Sequence, residues 1–363
     1  MGFDEIYVHN SNLKVIGLIE CAESVIWTSR YFECGDFEIY THASKELLDL
    51  CKRGMFLSHK DSDMIGLLEE YKITTNLEGI DYLTISGRCA TGLLSRRIVS
   101  QFRTNIQTYA YTEIVWLLNN NIIYPGVAES AQDRKISIFD VTSGIKLGTG
   151  VAYTNQIHTG DTVYKAVTDI CKNVGYGIKT VFNSTRTKLV PTIYKGIDRS
   201  KKQTTNTPVI FSPAYDNLAE SEQIVSWTNY ANSGFLMSGT AETKAIYYYG
   251  LPKGINRYEM FVNASDIPAQ SKSGLAVGEY ETVLETRYQE QLANHRVNTA
   301  FSGKATSNTT FEYKKDYNLG DIVTVENNYG ASETARIVEI IETYDMDGYT
   351  ITPVFKGETE QTT

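Results

Sequence analysis

An aromatic-rich stretch near the start of the chain, ESVIWTSRYFECGDFEIY, places five aromatic side chains within the eighteen residues from Glu23 to Tyr40. Aromatic and β-branched residues are enriched in strands, and a glycine inside such a run marks a bulge or a bend. The pattern predicts an aromatic strand from Ser24 to Tyr40, bent at Gly35. The whole chain holds 25 Tyr together with many Thr, Val, Ile and Asn, so a mainly β fold is expected.

The length of the chain predicts more than one domain, because 363 residues exceed the roughly 250–300 over which a single hydrophobic core usually grows. In the first region, residues 1–105, strand patterns are interrupted by two helix signals. Ser44 can cap the first helix and Gly54 can end it. The turn sequence NLEG predicts a hairpin, and the second helix is predicted in GRCATGLLSRRIV, with Ala90, Leu93 and Ile98 on its apolar face.

The middle region, residues 106–200, has the pattern of a small α/β insertion. Its helix signals are TEIVWLLNN and, most clearly, GDTVYKAVTDICKNVG, in which Asp161 can cap the helix and Gly175 can end it. The alternating stretch YGIKTVF predicts a strand after that helix. The polar stretch GIDRSKKQTTNTP that follows has the composition of a linker or long loop.

The last region, residues 201–363, returns to strand patterns. It carries an inserted helix signal near 284–297 and ends in a hairpin whose tight turn is DMDG. The fold class expected for the whole chain is α+β, mainly β with an α/β insertion.

A short internal sequence similarity suggests that two β units are related. The stretches IWTSRYFECGDF and SWTNYANSGF both run from Trp-Thr through Tyr and Gly to Phe, and two of the three Trp in the chain begin them. Such self-similarity is the signature of an internal repeat. It predicts that Trp27 and Trp227 occupy matching positions.

Net charge and cysteine content limit the partners and the cellular compartment that are expected for the chain. The formal net charge of −9 provides no global basic field for stable nucleic-acid binding. No signal peptide or membrane span is predicted. The cysteines are odd in number and scattered, which favours reduced thiols in a protein made in the cytoplasm; they are Cys21, Cys34, Cys51, Cys89 and Cys171.

Motifs for catalysis, cofactors or metals are not found in the sequence, and none of the three is expected. Phosphate-loop, dinucleotide and nucleophile-elbow patterns are missing, and the five His are far apart. Two functions stay open, because a glycoside hydrolase needs only two well-placed carboxylates and abundant aromatics suit a sugar-binding surface. The carboxylate candidates are Glu69 with Glu70, and Glu220 with Glu222.

Three stretches in a fixed order resemble the hub proteins of long-tailed phages: WTSRYFECGDFEIY, YLTISGRCATGLLSRRIV and FEYKKDYNLGDIVTVEN. They are similar in particular to siphophage tail proteins related to the baseplate hub and to the N-terminal hub of tail-associated lysins. The residues that carry the resemblance are Trp27, Arg30, Tyr31, Gly35, Phe37, Gly87, Arg88, Arg97, Asp316, Tyr317, Leu319, Gly320 and Asp321.

The resemblance implies a non-enzymatic homotrimer at the virion tail tip or baseplate. Each chain would supply two tube-type β-barrels, one from residues 1–105 and one from 201–363, so that a threefold ring fits the sixfold tail tube. Its implied partners are distal tail and tube proteins on one side, and tip, fibre or lysin proteins on the other. Phage DNA would pass through the lumen. Some relatives continue into wall-cleaving domains, whereas this sequence stops soon after its last hairpin, so wall hydrolysis by this chain is not expected.

The motif residues also have expected structural roles. Leu319 can anchor a turn, Gly320 can give it a tight backbone, and Asp321 can accept hydrogen bonds from turn amides. Arg30, Arg88 and Arg97 are expected to tie strands or subunits together, because an arginine fork pairs well with carboxylates.

Overall fold

The computed structural model describes most of the chain, namely residues 5–20, 22–101, 107–126, 129–140, 152–154, 158–218, 220–239, 245–268, 273–274, 276–304, 310–329 and 332–357. Strands dominate these residues, as the sequence predicts, and helices join them mainly in the middle region.

The strands in chain order are β1 (Ile6–His9), β2 (Val15–Ile19), β3 (Ser24–Arg30), β4 (Asp36–His42), β5 (Phe56–His59), β6 (Gly66–Leu67), β7 (Glu70–Thr75), β8 (Asp81–Arg88), β9 (Gln107–Tyr109), β10 (Ala152–Thr154), β11 (Gly177–Phe182), β12 (Leu189–Tyr194), β13 (Ile210–Phe211), β14 (Glu220–Ser226), β15 (Ser233–Ser238), β16 (Ala245–Tyr249), β17 (Glu259–Ala264), β18 (Asn298–Lys304), β19 (Ile322–Glu326), β20 (Ser332–Asp345) and β21 (Gly348–Gly357). The helices are α1 (Lys45–Leu50), α2 (Ala110–Leu118), α3 (Glu129–Gln132), α4 (Val163–Val174) and α5 (Val277–Leu292).

One large sheet joins strands from both ends of the chain. Its order is β14-β18-β21-β20-β3-β4-β8-β7, and β13 and β19 branch from it. The long strand β20 is central, because it pairs with β21 along one edge and with β19 and then β3 along the other. Among the described residues these pairings do not close into a ring, so the two barrels stay a prediction.

The predicted single strand from Ser24 to Tyr40 is wrong, because the stretch forms a hairpin. Strand β3 ends at Arg30, β4 begins at Asp36, and the two strands pair antiparallel. The Arg30 side chain stabilises the turn by donating to the Cys34 carbonyl and to the Asp36 carboxylate. Trp27 and Phe37 therefore face each other across the hairpin, with ring centroids 5.2 Å apart.

Local capping chemistry explains the ends of α1 and α4, although two of the predicted end residues need correction. The Ser44 hydroxyl caps α1 as predicted, although that helix ends at Leu50, before Gly54. Gly175 ends α4 in the left-handed conformation, as predicted, with φ 72°. The cap of α4 is Thr162 and not Asp161, because the Thr162 hydroxyl accepts from the Lys165 amide while Asp161 pairs with the Lys165 side chain.

Two other helix predictions need revision. The helix predicted in GRCATGLLSRRIV is a short 3₁₀ helix over Ala90–Arg96, and Ile98 is exposed beyond its end. The helix predicted near 284–297 is α5, which begins earlier and ends at Leu292. The hairpins predicted around NLEG and DMDG are confirmed as the pairs β7–β8 and β20–β21.

The predicted repeat is wrong at its central pair of residues. Trp27 is fully buried within β3, whereas Trp227 follows the end of β14 and is 62% exposed. The strands around Trp227 do not form an equivalent hairpin, since β14 pairs with β18 and β15 pairs with β16 and β17. The shared letters therefore do not mark matching positions.

Packing links the predicted regions through shared cores. Helices α2 and α4 form one core with the 3₁₀ helix Ala90–Arg96 and with residues near β5 and β6, so the middle region packs on the first. A second core fills the space between β1, β5 and the β3–β4–β8 part of the large sheet. The remaining two lie around β19–β21 and between α5 and the β15–β17 sheet. The three-domain division stays a prediction.

Candidate assembly site

The Tyr31 side chain lies at the point where all three predicted regions meet. It follows β3 and is fully buried. Its hydroxyl oxygen lies 3.2 Å from the carbonyl oxygens of both Gly175 and Tyr194, between which it shares its proton. The Gly196 amide donates to the same oxygen at 3.3 Å. One phenol from the first region thereby binds the end of α4, the end of β12 and the chain beyond it.

The ring of Tyr31 packs against glycines that leave it room. Gly320 has φ +96°, and a Cβ at that position would lie 2.2 Å from the Tyr31 ring. A Cβ at Gly177 would lie 2.4 Å from the same ring. The Arg336 guanidinium carbon is 5.3 Å from the ring centroid, which is cation–π distance. Glycine is required at Gly320 by both its backbone angle and this contact.

Asp321 provides the second set of cross-links at this point. Its carboxylate is 2% exposed and accepts from the Ile197 amide at 2.7 Å, from the Asn318 amide at 2.9 Å and from Arg199 Nε at 3.0 Å. The Asn318 contact is the turn-amide bond that the sequence predicts. Ile197 and Arg199 belong to the stretch with linker composition, which is thereby fixed onto the start of β19.

We call this cluster the Tyr31 junction, which comprises Tyr31, Gly177, Tyr194, Gly196, Arg199, Gly320, Asp321 and Arg336. Arg336 Nη1 completes it by donating to the Gly320 carbonyl at 2.8 Å. Burial raises the pKa of the Tyr31 phenol, so this group stays neutral and keeps its donor proton. A buried polar network with its donors and acceptors paired fixes one arrangement of the segments it joins.

The remaining residues of the C-terminal motif support the turn before β19. Asp316 accepts from the Glu312 amide at 2.7 Å. Tyr317 is 1% exposed and meets Phe211 edge to face, with ring centroids 5.2 Å apart. Leu319 is half-buried against the same core. The motif is thus built for packing and backbone geometry.

Arg30 and Arg88 both pair with carboxylates, and Arg30 pairs with Glu339 as well as with Asp36. Arg30 Nε donates to Glu339 on β20 at 2.9 Å, which ties β3 to its neighbour in the sheet. Arg88 binds Glu69 with two donors, at 2.8 and 2.7 Å. The hydrogen bond from Arg88 lowers the pKa of the Glu69 carboxyl, so the pair stays ionised at neutral pH.

The other motif residues lie elsewhere in the structure. Gly35 and Gly87 are sites of close backbone approach, since a Cβ would lie 2.2 Å from the Thr28 carbonyl oxygen and 2.0 Å from the Leu67 carbonyl oxygen, respectively. Arg97 differs from the other two arginines, because it donates to the backbone carbonyls of Arg134 and Arg96. The junction therefore gathers Tyr31, Gly320 and Asp321, but not the whole motif set.

Sequence reasoning missed five members of the junction. Arg336 occurs in a strand pattern and Arg199 in a stretch with linker composition, so neither position signals a buried partner. The three others are Gly177, Tyr194 and Gly196. Only the approach of distant segments brings these residues to Tyr31.

A second feature is an exposed aromatic surface on the small sheet β16-β15-β17. Helix α5 covers one face of this sheet, where Leu236, Val262 and Tyr280 are buried together. The opposite face carries Phe235 and the exposed side chains of Ile246, Tyr248 and Phe261. The Phe235 ring centroid lies 5.9 Å from that of Tyr248 and 5.2 Å from that of Phe261. We call these four residues the aromatic face.

The described residues contain no group of three or more His, Cys, Asp or Glu side chains placed to hold a metal ion. No helix among them is long and apolar enough to cross a membrane. Of the carboxylates considered for glycoside hydrolysis, Glu69 is bound by Arg88 and Glu222 is exposed on β14; the Glu220 side chain lies outside the described residues.

Comparisons with known proteins identify the family of this chain. The family described as Siphovirus ReqiPepy6 Gp37-like protein matches residues 5–355. The chain therefore belongs to this family of siphovirus tail proteins, which makes it a structural protein of the phage tail or baseplate. None of the curated proteins matches it.

Solved tail proteins share the fold along nearly the whole chain. A tail protein from Neisseria meningitidis MC58 is 13% identical with a TM-score of 0.62, covering 98% of this chain and 96% of that one. The 43 kDa tail protein of prophage MuSo2 from Shewanella oneidensis is 15% identical with a TM-score of 0.59, covering 97% and 98%. The prophage tail protein gp18 from Listeria monocytogenes EGD-e is 9% identical with a TM-score of 0.54, covering 98% and 95%.

Proposed function

We propose that the chain is a non-enzymatic baseplate hub that forms a trimeric ring between the tail tube and the tip of a long-tailed phage. The observation that carries this proposal is the Tyr31 junction. Three of the motif residues, Tyr31, Gly320 and Asp321, meet there in a buried network that fixes three parts of the chain relative to one another. A ring subunit that transmits load between tube and tip needs such fixed geometry, whereas catalysis needs an accessible site.

The aromatic face supports assembly through contact with a second copy of this chain. Contiguous exposed apolar surface is uncommon on monomeric proteins and marks interaction sites. Aromatic residues are also enriched at the buried centres of protein interfaces. In the proposed trimer, each aromatic face lies against the neighbouring subunit. The other ring surfaces bind distal tail and tube proteins on one side and tip, fibre or lysin proteins on the other.

The charge of the chain suits DNA passage through the ring. Every phosphate contact with Lys or Arg adds salt-dependent affinity, so a lumen that must release DNA should carry few exposed cations. The net charge of −9 is in keeping with a lumen of this kind. Neutralising acids that line the lumen is expected to slow DNA ejection.

Native mass measurement followed by negative-stain imaging tests the hub proposal. A particle of three chains with a central channel is the expected result, since one chain has a mass of 40.7 kDa. The measurement is repeated over a range of concentrations and with purified neighbouring tail proteins, because neighbours can drive ring closure. A monomer under all these conditions would overturn the proposal.

The aromatic face also favours one alternative, a carbohydrate-binding or receptor-binding tail module. Exposed Tyr and Phe rings can stack on sugar rings because both have flat apolar faces. Binding of cell-wall glycan by the isolated monomer, lost in a Tyr248→Ala variant, would favour this function. Release of reducing sugar from cell walls by the purified protein would instead support a glycoside hydrolase.

A further inference from the structure

Two cysteine side chains lie side by side next to the Tyr31 junction. Cys34 belongs to the turn between β3 and β4, and Cys89 directly follows β8. Their sulfur atoms are 2.7 Å apart. The Cys89 amide donates to the Gly35 carbonyl at 2.7 Å, which holds the two backbones in register. The contact lies beside the end of the β4–β8 pairing, where Asp36 is opposite Arg88.

We propose that Cys34 and Cys89 are an oxidation site, where a small peroxide converts the two thiols into an intramolecular disulfide. A disulfide bond is about 2.05 Å long, so the two sulfur atoms need to approach by less than about 1 Å. The bond would connect the β3–β4 turn to the end of β8. This inference does not rest on the hub function, and each can fail without the other.

The surroundings of Cys89 favour its reaction as a thiolate. Burial alone would raise the pKa of the Cys89 thiol, but hydrogen bonds from Cys34, Thr91 and the Gly35 amide outweigh burial and lower it. Cys51 has no such donors, and burial raises the pKa of its thiol to about 11. Since the thiolate is the nucleophile, Cys89 should react before Cys51.

A cavity gives a small oxidant access to this pair. Cys89 lines a cavity of about 380 Å³ together with Arg30, Ser62 and Lys179. Hydrogen peroxide fits such a space, whereas a bulky disulfide reagent is harder to admit. Cys34 is only partly buried, so the pair lies close to solvent.

The oxidation proceeds in two balanced steps. The Cys89 thiolate attacks one oxygen of hydrogen peroxide, the O–O bond breaks, and hydroxide leaves, so that Cys89 becomes a sulfenic acid. The Cys34 sulfur then attacks Cys89 Sγ, the S–O bond breaks, and the proton of the Cys34 thiol leaves with the hydroxyl as water. The proton that Cys89 released on ionisation combines with the hydroxide from the first step, so that overall two thiols are oxidised and one peroxide is reduced to two waters.

The disulfide would constrain the part of the chain between residues 34 and 89. Closing this loop lowers the entropy of the unfolded chain, so the oxidised protein should have a higher Tm than the reduced protein. In a reducing cytoplasm the thiols would stay free, and the bond would form in oxidising surroundings. The reduced thiols that the sequence predicts would then be present only in the reducing cytoplasm.

The test treats the reduced full-length chain with hydrogen peroxide, denatures it, alkylates the remaining thiols and measures the intact mass. The expected result is that two of the five thiols are lost to alkylation. Trypsin cleaves after Lys and Arg, so non-reducing digestion should yield the peptide Tyr31–Lys45 joined to Cys89–Arg96. The wild-type chain alone gives this result, so no variant has to fold for the test to be decisive.

Two variants sharpen the test. Cys34→Ser should abolish the linked peptide and leave Cys89 to oxidise to a sulfenic or sulfinic acid. Cys51→Ser should keep the linked peptide and serves as the matched control. Five alkylated thiols after treatment, Cys89 oxidised without a link to Cys34, or a link between any other pair in the wild-type chain would each overturn the proposal.

Discussion

At Tyr31, the hydroxyl rather than the ring makes the hydrogen bonds that cross from one region of the chain to another. Tyr31→Phe keeps the ring contacts and leaves the Gly196 amide and the carbonyls of Gly175 and Tyr194 without this partner. Unpaired buried polar groups destabilise a fold, so we expect the free energy of unfolding to fall by about 1–3 kcal/mol. Urea unfolding measures it. Tyr71→Phe, on an exposed strand position, is the control and should have almost no effect.

A substitution at Gly320 tests the same junction through the residue that packs against the Tyr31 ring. Gly320→Ala places a methyl group 2.2 Å from the Tyr31 ring at a φ of +96°. Left-handed backbone strain and overpacking together should destabilise the fold by about 2–5 kcal/mol. Gly278→Ala is the matched control, because a Cβ there meets nothing within 4 Å and lies within helix α5.

Thermal melting of both glycine variants distinguishes a site-specific effect from a general one. Alanine in place of a helical glycine is expected to leave Tm unchanged or raise it slightly. Equal Tm values for the two variants would show that the close packing between Gly320 and Tyr31 contributes little to stability.

At the level of single residues, the sequence predicts local chemistry but not contacts between residues that are far apart in the chain. The turn roles of Gly320 and Asp321 follow from residue type and from the strand signal after them. Tyr31 is nearly 290 positions away in the chain, and no local pattern indicates that it fills the space left by Gly320. Likewise, Arg199 occurs in a polar stretch whose composition gives no sign of a buried ion pair with Asp321.

Among the elements, the β7–β8 hairpin is tied at its open end by the pair of Arg88 and Glu69. The pKa of the Glu69 carboxyl is lowered from its ordinary value of 4.5 by the hydrogen bond from Arg88. A carboxyl with a depressed folded-state pKa stabilises the fold above its unfolded-state pKa and loses that contribution as pH falls through the folded-state pKa. The pair should therefore stabilise the hairpin at neutral pH and stop doing so in acid.

Glu69→Gln measures this contribution. We expect the variant to be less stable than the wild type at neutral pH by at most about 1 kcal/mol, because the pair is partly exposed. The difference should shrink as the pH falls below the ordinary carboxyl range and through the lowered folded-state pKa of Glu69, because Glu69 of the wild type then becomes protonated as well. Urea unfolding across this pH range is the measurement. Glu70→Gln, the exposed neighbour, should show no such pH dependence, and a constant difference for Glu69→Gln would contradict the assignment.

Individual ends and turns of elements were predictable where a local signal set them. The hydroxyl of Ser44, the left-handed Gly175 and the DMDG turn each act within a few residues, and the structure confirms all three. The stretch from Ser24 to Tyr40 was misread as one strand, because every residue in it suits a strand. Its turn depends on the Arg30 side chain bonding back to Cys34 and Asp36.

For the whole molecule, long-range pairing limits what sequence patterns can indicate. Strand β20 brings β3 beside the last hairpin, although more than 300 residues separate Arg30 from its partner Glu339. The short sequence similarity that begins with Trp-Thr was misleading for the same reason. The two similar stretches have different tertiary surroundings, since Trp27 is buried and Trp227 is exposed. The family resemblance predicted more than periodicity did, because members of a family share contacts between residues that are distant in the chain.

The aromatic face gives the proposed ring a test that separates assembly from folding. Tyr248→Glu combined with Phe261→Glu places two charges on a surface that is exposed in the single chain, where Tyr248 is 73% exposed. Because both side chains are largely in solvent, we expect the Tm of the isolated subunit to change little. If this face lies against a second copy, the charges must be desolvated on association, and the trimer should dissociate to monomers.

Sedimentation velocity at matched concentrations would show this loss as a shift from three chains to one. Leu77→Glu is the control, since Leu77 is a single, fully exposed side chain at the tip of the β7–β8 hairpin. Its trimer should persist, because an isolated apolar residue adds little to an interface. A trimer that survives both charges on the aromatic face would place the contact between subunits elsewhere, and the face would then be available to a different tail protein or to a glycan.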